Sequence, residues 1–375
     1  MSFITGKKVL VTGCCGTVGK ELVKLLLDPA RGQVEALVGI DNHESSLFHL
    51  EQAHLDAHHA TFFLTDVRDP QAVLQVMEDI DVVFHTAALK HVIMCERSPM
   101  EAVQTNIEGV QNIINAAHES KVERVIFTSS DKAVNPTNVM GTSKLMGERL
   151  ITAANSRSRG DRPVFASTRF GNVLGSSGSV VPIFHEQIRQ GGPVTLTHPE
   201  MTRFIMSLQQ AVELVLRSAE IARGGEVFIT KMPVVRIIDI ARAMIDALAP
   251  RYGHDPASIE IKEIGVKPGE KLYEELMTDE ECRRSVELED YFSVLPAFRG
   301  VYRRINYDYE GLVADQVERT YRSSESEPMG QQAILDFMNA SGLLEGSHVE
   351  GKPDQRYWPG DKEEARHHAR SDSRG

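Results

Sequence analysis

Long apolar runs are missing from this sequence of 375 residues. No stretch approaches the roughly 18 consecutive apolar residues of a membrane-crossing helix, and 1–8 offers no apolar run of a secretory signal. The expectation is a cytoplasmic protein with no membrane partner. Cysteine is scarce as well: Cys14, Cys15, Cys95 and Cys282 contain no C-x-x-C pair, and the adjacent two do not readily bridge each other. That excludes a disulfide framework and a zinc site. His85, His91, His367 and His368 lack ligand spacing with a third partner, so no metal is expected. Cations are outnumbered, with 41 Lys plus Arg against 53 Asp plus Glu and a net charge of −12. Such a balance repels a phosphate backbone, argues against nucleic acid as a partner, and leaves any anionic ligand to a few placed groups.

What is present is alternation. With 41% hydrophobic and 25% charged residues, the composition is that of a globular chain long enough for two lobes. Short β-branched runs at 9–11, 35–40, 60–64, 82–85 and 125–129 are separated by helical patterns, beginning with 18–27. This predicts βαβ units, a parallel sheet and helices on both of its faces. Val103, Ile107, Val110, Ile113 and Ile114 recur at helical spacing and predict one crossover helix over 102–118; another is expected from Val139 toward Asn155. After a strand at 165–170, glycines and prolines mark loops and short elements. A strand at 226–230 should return to the sheet, and 235–248 should be helical.

Thr12-Gly13-Cys14-Cys15-Gly16-Thr17-Val18-Gly19 follows the first strand and opens the first helix. Its spacing, G-x-x-G-x-x-G, lets backbone amides at Gly13, Gly16, Thr17, Val18 and Gly19 approach a pyrophosphate at a helix N-terminus. A glycine triplet alone is equally a plain strand-to-helix turn. Asp41 closes the second strand, where a carboxylate accepts from both adenosine ribose hydroxyls, and the combination makes a dinucleotide fingerprint. The same carboxylate opposes a 2′-phosphate, and Asn42-His43-Glu44 supplies no obligate cation, so NAD is favoured over NADP. Asp66 and Val67 stand either at the adenine edge or at the start of a helix, with Asp69-Pro70 following.

The glycine turn, His85-Thr86-Ala87-Ala88, Thr105-Asn106 and Lys144 occur in the order found in the extended short-chain dehydrogenase/reductases, a superfamily that the chain resembles. More narrowly, Ala87-Ala88-Leu89-Lys90-His91-Val92, Ser130-Asp131-Lys132-Ala133, Arg169-Phe170-Gly171-Asn172-Val173, Met201-Thr202-Arg203-Phe204 and Lys267-Pro268-Gly269-Glu270-Lys271 resemble the UDP-N-acetylglucosamine 4,6-dehydratases of bacterial surface-glycan biosynthesis. That likeness spans Lys7 to Pro296.

The resemblance implies oxidation of the sugar at C4 by NAD, loss of water across C5 and C6, and return of the hydride to C6. A base at C5 and an acid for the 6-hydroxyl are then needed, and Lys132 and Asp131 are assigned in that order, the opposite assignment being chemically open. Lys144 is expected on the nicotinamide ribose, Ser130 on the 4-hydroxyl, and Ala87 and Ala88 against the cofactor. Met140 occupies the place where most of the superfamily has a tyrosine acid/base. Some dehydratases resemble this chain in that methionine, but a thioether exchanges no proton, so the base for the 4-hydroxyl is unassigned.

By the same resemblance Lys90 and Asn172 contact the substrate, Arg203 grips the uridine diphosphate and Glu270 accepts from the uridine ribose. The bland alternatives are an ion pair of Arg203 with Glu200 and a plain turn at Gly269. The substrate is UDP-N-acetylglucosamine or a close UDP-hexose, and a homo-oligomer is implied. A sugar-nucleotide epimerase and a non-catalytic NAD-binding protein are the rival readings. The expected fold is α/β, a doubly wound parallel sheet of Rossmann type with a smaller discontinuous substrate lobe. Residues 1–172 form the NAD-binding domain, which also receives 205–232; 173–204 and 233–345 form the lobe, and 346–375 a disordered tail.

Overall fold

The structure, a computed structural model, describes residues 3–31, 33–158, 162–176, 179–266, 269–298 and 305–345; the tail expected at 346–375 lies outside the described residues, as do Lys267 and Pro268. The first half alternates as its sequence does. Strand β1 (Lys8–Thr12) leads to helix α1 (Thr17–Leu26), β2 (Ala36–Asp41) to α2 (Glu44–Ala53), and β3 (Ala60–Leu64) to α3 (Pro70–Val76). After β4 (Val82–His85) come α4 (Val92–Arg97), α5 (Pro99–Val103) and α6 (Gly109–Glu119), then β5 (Arg124–Ser130), α7 (Val139–Ala154) and β6 (Val164–Phe170).

The second half is finer grained. It runs β7 (Asn172–Val173), α8 (Val180–Arg189), β8 (Val194–Leu196), β9 (Thr202–Met206), α9 (Leu208–Ile221), β10 (Val227–Thr230) and β11 (Val234–Arg236). There follow α10 (Ile237–Leu248), β12 (Ile261–Glu263), α11 (Asp279–Cys282), β13 (Ser285–Leu288), β14 (Tyr291–Val294), β15 (Leu312–Ala314) and α12 (Gln331–Ala340).

One ten-stranded sheet organises the molecule, in the order β15-β13-β14-β10-β6-β5-β4-β1-β2-β3. From β3 to β10 every neighbouring pair is parallel, and the order 3-2-1-4-5-6 is the doubly wound arrangement whose direction reverses between β1 and β4. Side chains alternate across it. Val9, Val11, Val82, Phe84 and Ile126 pack with α1 and α9, while Leu10, Val83, Val125 and Phe127 pack with α3, α6 and α7. Both faces are covered, which is why the central strands are unbroken apolar runs.

Two departures from the sequence reading matter. The helix expected over 102–118 is α5, a π-helical turn at Gln104–Glu108, and α6. Apolar spacing survives on either side of that wide turn, so periodicity conceals it. The turn carries Asn106, whose side chain accepts from the Leu89 N–H (2.8 Å) and donates to the Leu89 carbonyl (3.0 Å) and Ser143 Oγ (2.9 Å). The second departure is at the far edge. Strand β10 does return parallel to β6, but β14, β13 and β15 then add three antiparallel strands that extend the central sheet.

A separate core is built by α8, α10, α12, β8 and β11, with Phe184, Leu196, Val235, Ile240, Met244, Ile334 and Met338 buried in it. Strand β9 joins the two cores through its alternation: Phe204 and Met206 face the main core and Ile205 the smaller one. Among the described residues, no helix is long and apolar enough to cross a membrane.

Candidate active site

The C-terminal ends of parallel strands are where an open sheet presents ligands, and the expected motifs gather there. At the end of β1, Gly13 has φ +66°, and a Cβ on it would lie 2.6 Å from the Ala87 Cα, so only glycine lets the turn sit against the loop after β4. That loop is stitched to β1: the Ala87 N–H donates to Thr12 Oγ1 (3.3 Å), Thr86 Oγ1 donates to the Thr12 carbonyl (2.7 Å), and Thr12 Oγ1 meets His85 Nδ1 at 2.6 Å. Burial, then the Lys144 charge, push the His85 imidazole down to about 3, so it serves there as a neutral hydrogen-bonding group.

At the end of β2 the Asp41 carboxylate accepts from the Cys15 N–H (3.0 Å) and the His43 N–H (3.0 Å). A glycine turn with no room for a side chain, facing a half-buried carboxylate held by that same turn, fits a dinucleotide. Cys14, Cys15 and Asp41 also bring two thiols and a carboxylate within 4.8 Å of one another. A soft metal needs thiolates, and the Cys14 thiol is held far above its ordinary range by its hydrogen bond with Cys15 and by burial. Asp69 caps α3, accepting from Gln71 and Ala72, whereas Asp66 is held low by hydrogen bonds from the Arg68 guanidinium. Val67 is buried, and its carbonyl accepts from Asn112 (3.0 Å).

Beyond β5 the chain makes a single 3₁₀ turn, Asp131–Ala133, capped by Ser130. Ser130 Oγ donates to Asp131 Oδ1 (2.5 Å), which also accepts from the Lys132 N–H (2.9 Å) and Lys132 Nζ (3.2 Å). The Asp131 side chain is 1% exposed and that of Lys132 34%. Helix α7 starts directly against this turn: Asn138 caps it by accepting from the Gly141 N–H (2.8 Å), and a Cβ on Gly141 would overlap the Lys132 carbonyl oxygen. Three residues on, Lys144 Nζ donates to the Thr128 carbonyl (2.9 Å) and lies 4.6 Å from the Phe127 ring centroid. Burial pushes its amine down to about 8, against the opposing pull of Glu148. Met140 is buried in a small apolar cluster with Cys95 and Ala102.

The substrate-side residues are more scattered. Lys90 is exposed, and Asn172 donates to the Phe204 carbonyl (3.3 Å). Arg203 Nε lies 3.0 Å from Glu274 Oε1, and its terminal nitrogens donate to the carbonyls of Thr202, Leu272 and Lys271 and approach the Met201 sulfur. Glu270 is half-buried with its Oε2 lacking a hydrogen bond, and the Gly269 carbonyl accepts from Thr137 Oγ1 (3.3 Å).

Residues 9–296 match the family described as polysaccharide biosynthesis protein. The chain belongs to that family. It is 51% identical over 295 residues to an uncharacterized membrane protein of Methanocaldococcus jannaschii, covering 79% of this chain and 87% of that one. It is 36% identical to a UDP-N-acetylglucosamine 4,6-dehydratase (inverting) of Campylobacter jejuni, covering 89% and 98%. The X-ray structure of Pen from Bacillus thuringiensis superposes with a TM-score of 0.82 at 38% identity, covering 92% of this chain and all of the other. Solved dehydratases and epimerases near 21% identity share the extended short-chain dehydrogenase/reductase fold, with TM-scores of 0.62 and 0.61.

Other charged residues of this polysaccharide biosynthesis protein were given no role in the sequence reading, although Arg169 opens one of the motifs quoted there. Arg169 is fully buried and grips Glu148 (2.6 and 3.0 Å) and Glu281 (3.0 and 3.1 Å) while donating to the Leu276 carbonyl (2.7 Å). Glu274 and Glu275 are buried on the segment that docks over the Asp131–Ala133 turn. In the sequence they are two acids in a charged stretch, and no periodicity or motif spacing marks them.

Proposed function

We propose that this enzyme of polysaccharide biosynthesis is an NAD-dependent 4,6-dehydratase acting on UDP-N-acetylglucosamine or a close UDP-hexose. The observation that carries the reading is the Asp131–Lys132 pair at the end of β5: a partly exposed amine 3.2 Å from a buried carboxylate, on the strand whose Thr128 carbonyl accepts from Lys144. The relative from Campylobacter jejuni, named for this reaction and aligned over 89% of the chain, supports it. In this reading Gly13, Gly16, Thr17, Val18, Gly19, Asp41, Ala87, Ala88 and Lys144 hold the cofactor. Asp66 and Val67 flank its adenine end, and Lys90, Asn172 and Glu270 face the substrate.

Bound NAD would supply the redox chemistry, taking a hydride from C4 and returning it to C6. The chain's own residues move protons. Once C4 is a ketone the C5 hydrogen is acidic, and the Lys132 amine removes it. Asp131 gives a proton to the 6-hydroxyl, which leaves as water. Lys132 returns a proton to C5, and the proton shed by the 4-hydroxyl replaces the one Asp131 gave. Atoms and charge then close on the substrate minus one water. Ser130, donating to Asp131, holds that carboxyl in line, and Lys144 keeps a cation beside the nicotinamide end.

The test follows the hydrogens. In deuterium oxide the product gains deuterium at C5; with C4-deuterated UDP-N-acetylglucosamine in ordinary water, the label appears in a C6 methyl group. Label recovered at C4 with no methyl group identifies an epimerase, and an unchanged sugar identifies a binding protein. Either outcome overturns the reading.

A further inference from the structure

Lys132 has a second carboxylate beside it, delivered from far along the chain. Glu274 is 7% exposed, and its Oε1 lies 3.7 Å from Lys132 Nζ and 3.0 Å from Arg203 Nε. The segment that carries it is anchored to the Lys132 turn. Lys271 Nζ donates to the Val134 carbonyl (3.0 Å), and Asn135 donates to Glu275 Oε2 (3.0 Å). The backbone of Glu274 is fixed as well: its N–H donates to Ser323 Oγ (2.9 Å), and its carbonyl accepts from the Ser323 N–H (2.9 Å).

A lysine amine sits on a four-carbon stem with large rotamer freedom, and this one is partly open to solvent. Asp131 is its chain neighbour and holds it from one anchor only. Glu274 is a second anchor, buried and held by the Arg203 guanidinium, whose Nε lies 3.0 Å away and whose terminal nitrogens are hydrogen-bonded to neighbouring carbonyls.

We propose that Glu274 is a positioning residue that holds the Lys132 amine where it meets the C5 hydrogen, and that Arg203 acts through Glu274 rather than on the diphosphate. This rests on the reading in which Lys132 handles the C5 proton. It adds a requirement: proton transfer at C5 needs the 269–275 segment docked on the turn, whereas hydride removal at C4 does not.

The experiment separates those two steps in the loaded enzyme with UDP-N-acetylglucosamine. Single-turnover absorbance of the reduced nicotinamide reports C4 oxidation, and solvent deuterium in the sugar reports C5 exchange. Glu274→Gln keeps the shape and an oxygen for Arg203. It should leave oxidation within about threefold while slowing C5 exchange about 100-fold, the scale of a misplaced reacting group. Equal loss of both steps, or of neither, overturns the proposal.

Should Glu274→Gln not fold because Arg203 loses its counterion, the paired variant Glu274→Met with Arg203→Met removes both charges together and should show the same split. Loss of the fold in both variants also overturns the proposal, since it assigns Glu274 to stability alone. Failure of the unaltered protein to exchange C5 at all counts against the dehydratase reading instead.

Discussion

Arg169 and Arg203 each stand at the centre of a buried charge cluster, and the two clusters use the same parts. Each guanidinium is buried and is paired with a glutamate from the 274–281 segment. They differ in what closes them. Around Arg169 the carboxylates of Glu148 and Glu281 are 2% and 4% exposed, so the set is sealed and ties α7 and α11 to β6. Around Arg203 the carboxylate of Glu274 is shared with Lys132, whose side chain is 34% exposed. A sealed cluster is a strut, whereas one left open on a single amine can exchange a proton with something outside it.

Four changes break or sharpen that contrast, taken from the largest expected effect to the smallest. Lys132→Ala opens the second cluster. Dehydration should fall by about 10³-fold or more, the scale of a removed proton-transfer group, while NAD binding by titration is retained. Full dehydratase activity would remove Lys132 from the mechanism. The substitution should cost little stability, because Asp131 keeps the Ser130 hydroxyl and the Lys132 backbone N–H as donors.

Arg169→Met breaks the sealed cluster and strands two buried carboxylates, which should destabilise the fold by about 3–5 kcal/mol in denaturant titration. The sign with pH follows from Glu281. Burial alone would raise its carboxyl, but the Arg169 charge and hydrogen bonds outweigh that and hold it at about 2. A carboxylate depressed in the folded state contributes stability that is present above its ordinary range and is lost as pH falls toward 2. Glu281→Gln should therefore flatten the acid limb of the stability curve. An unchanged limb would mean that the triad is no strut.

The smallest effect lies where the sealed cluster touches the chemistry. Glu148 stands one turn after Lys144 and favours its charged form, against the burial that brings it to about 8. Oxidation at C4 should then decline as pH rises through about 8, where Lys144 loses its proton. Glu148→Gln should move that decline to lower pH, and a decline that stays in place would uncouple the sealed cluster from the site.

Much of the architecture was legible before any coordinates. Strands 60–64 and 82–85 fall where the alternation of runs put them, and β10 pairs with β6 as 226–230 suggested, because a short apolar run between helical or turn segments marks a strand buried in a parallel sheet. The π turn was not, since a one-residue widening leaves the flanking spacing intact. Nor was the hairpin of β13 and β14, whose sequences Ser285–Leu288 and Tyr291–Val294 mix polar with apolar residues and form no continuous apolar run.

At the site the division runs by distance along the chain. Gly13, Asp41, Asp131, Lys132 and Lys144 could be singled out because local rules suffice: a turn that excludes a side chain, a carboxylate closing a strand, a dipeptide at a strand end. Glu274 and Glu275 obey no local rule, and the capping box that marks Glu281 at the start of α11 gives no sign of the arginine it meets. Whether such a glutamate faces water, caps a helix or meets an arginine depends on which distant segment docks beside it. The amino-acid order alone determined the parallel part of the sheet, the glycine turn after β1 and the Asp131–Lys132 dipeptide at the end of β5. Only the tertiary structure decided that Arg203 binds Glu274 and that Glu274 reaches Lys132, because Coulomb attraction acts through space and leaves no period in sequence.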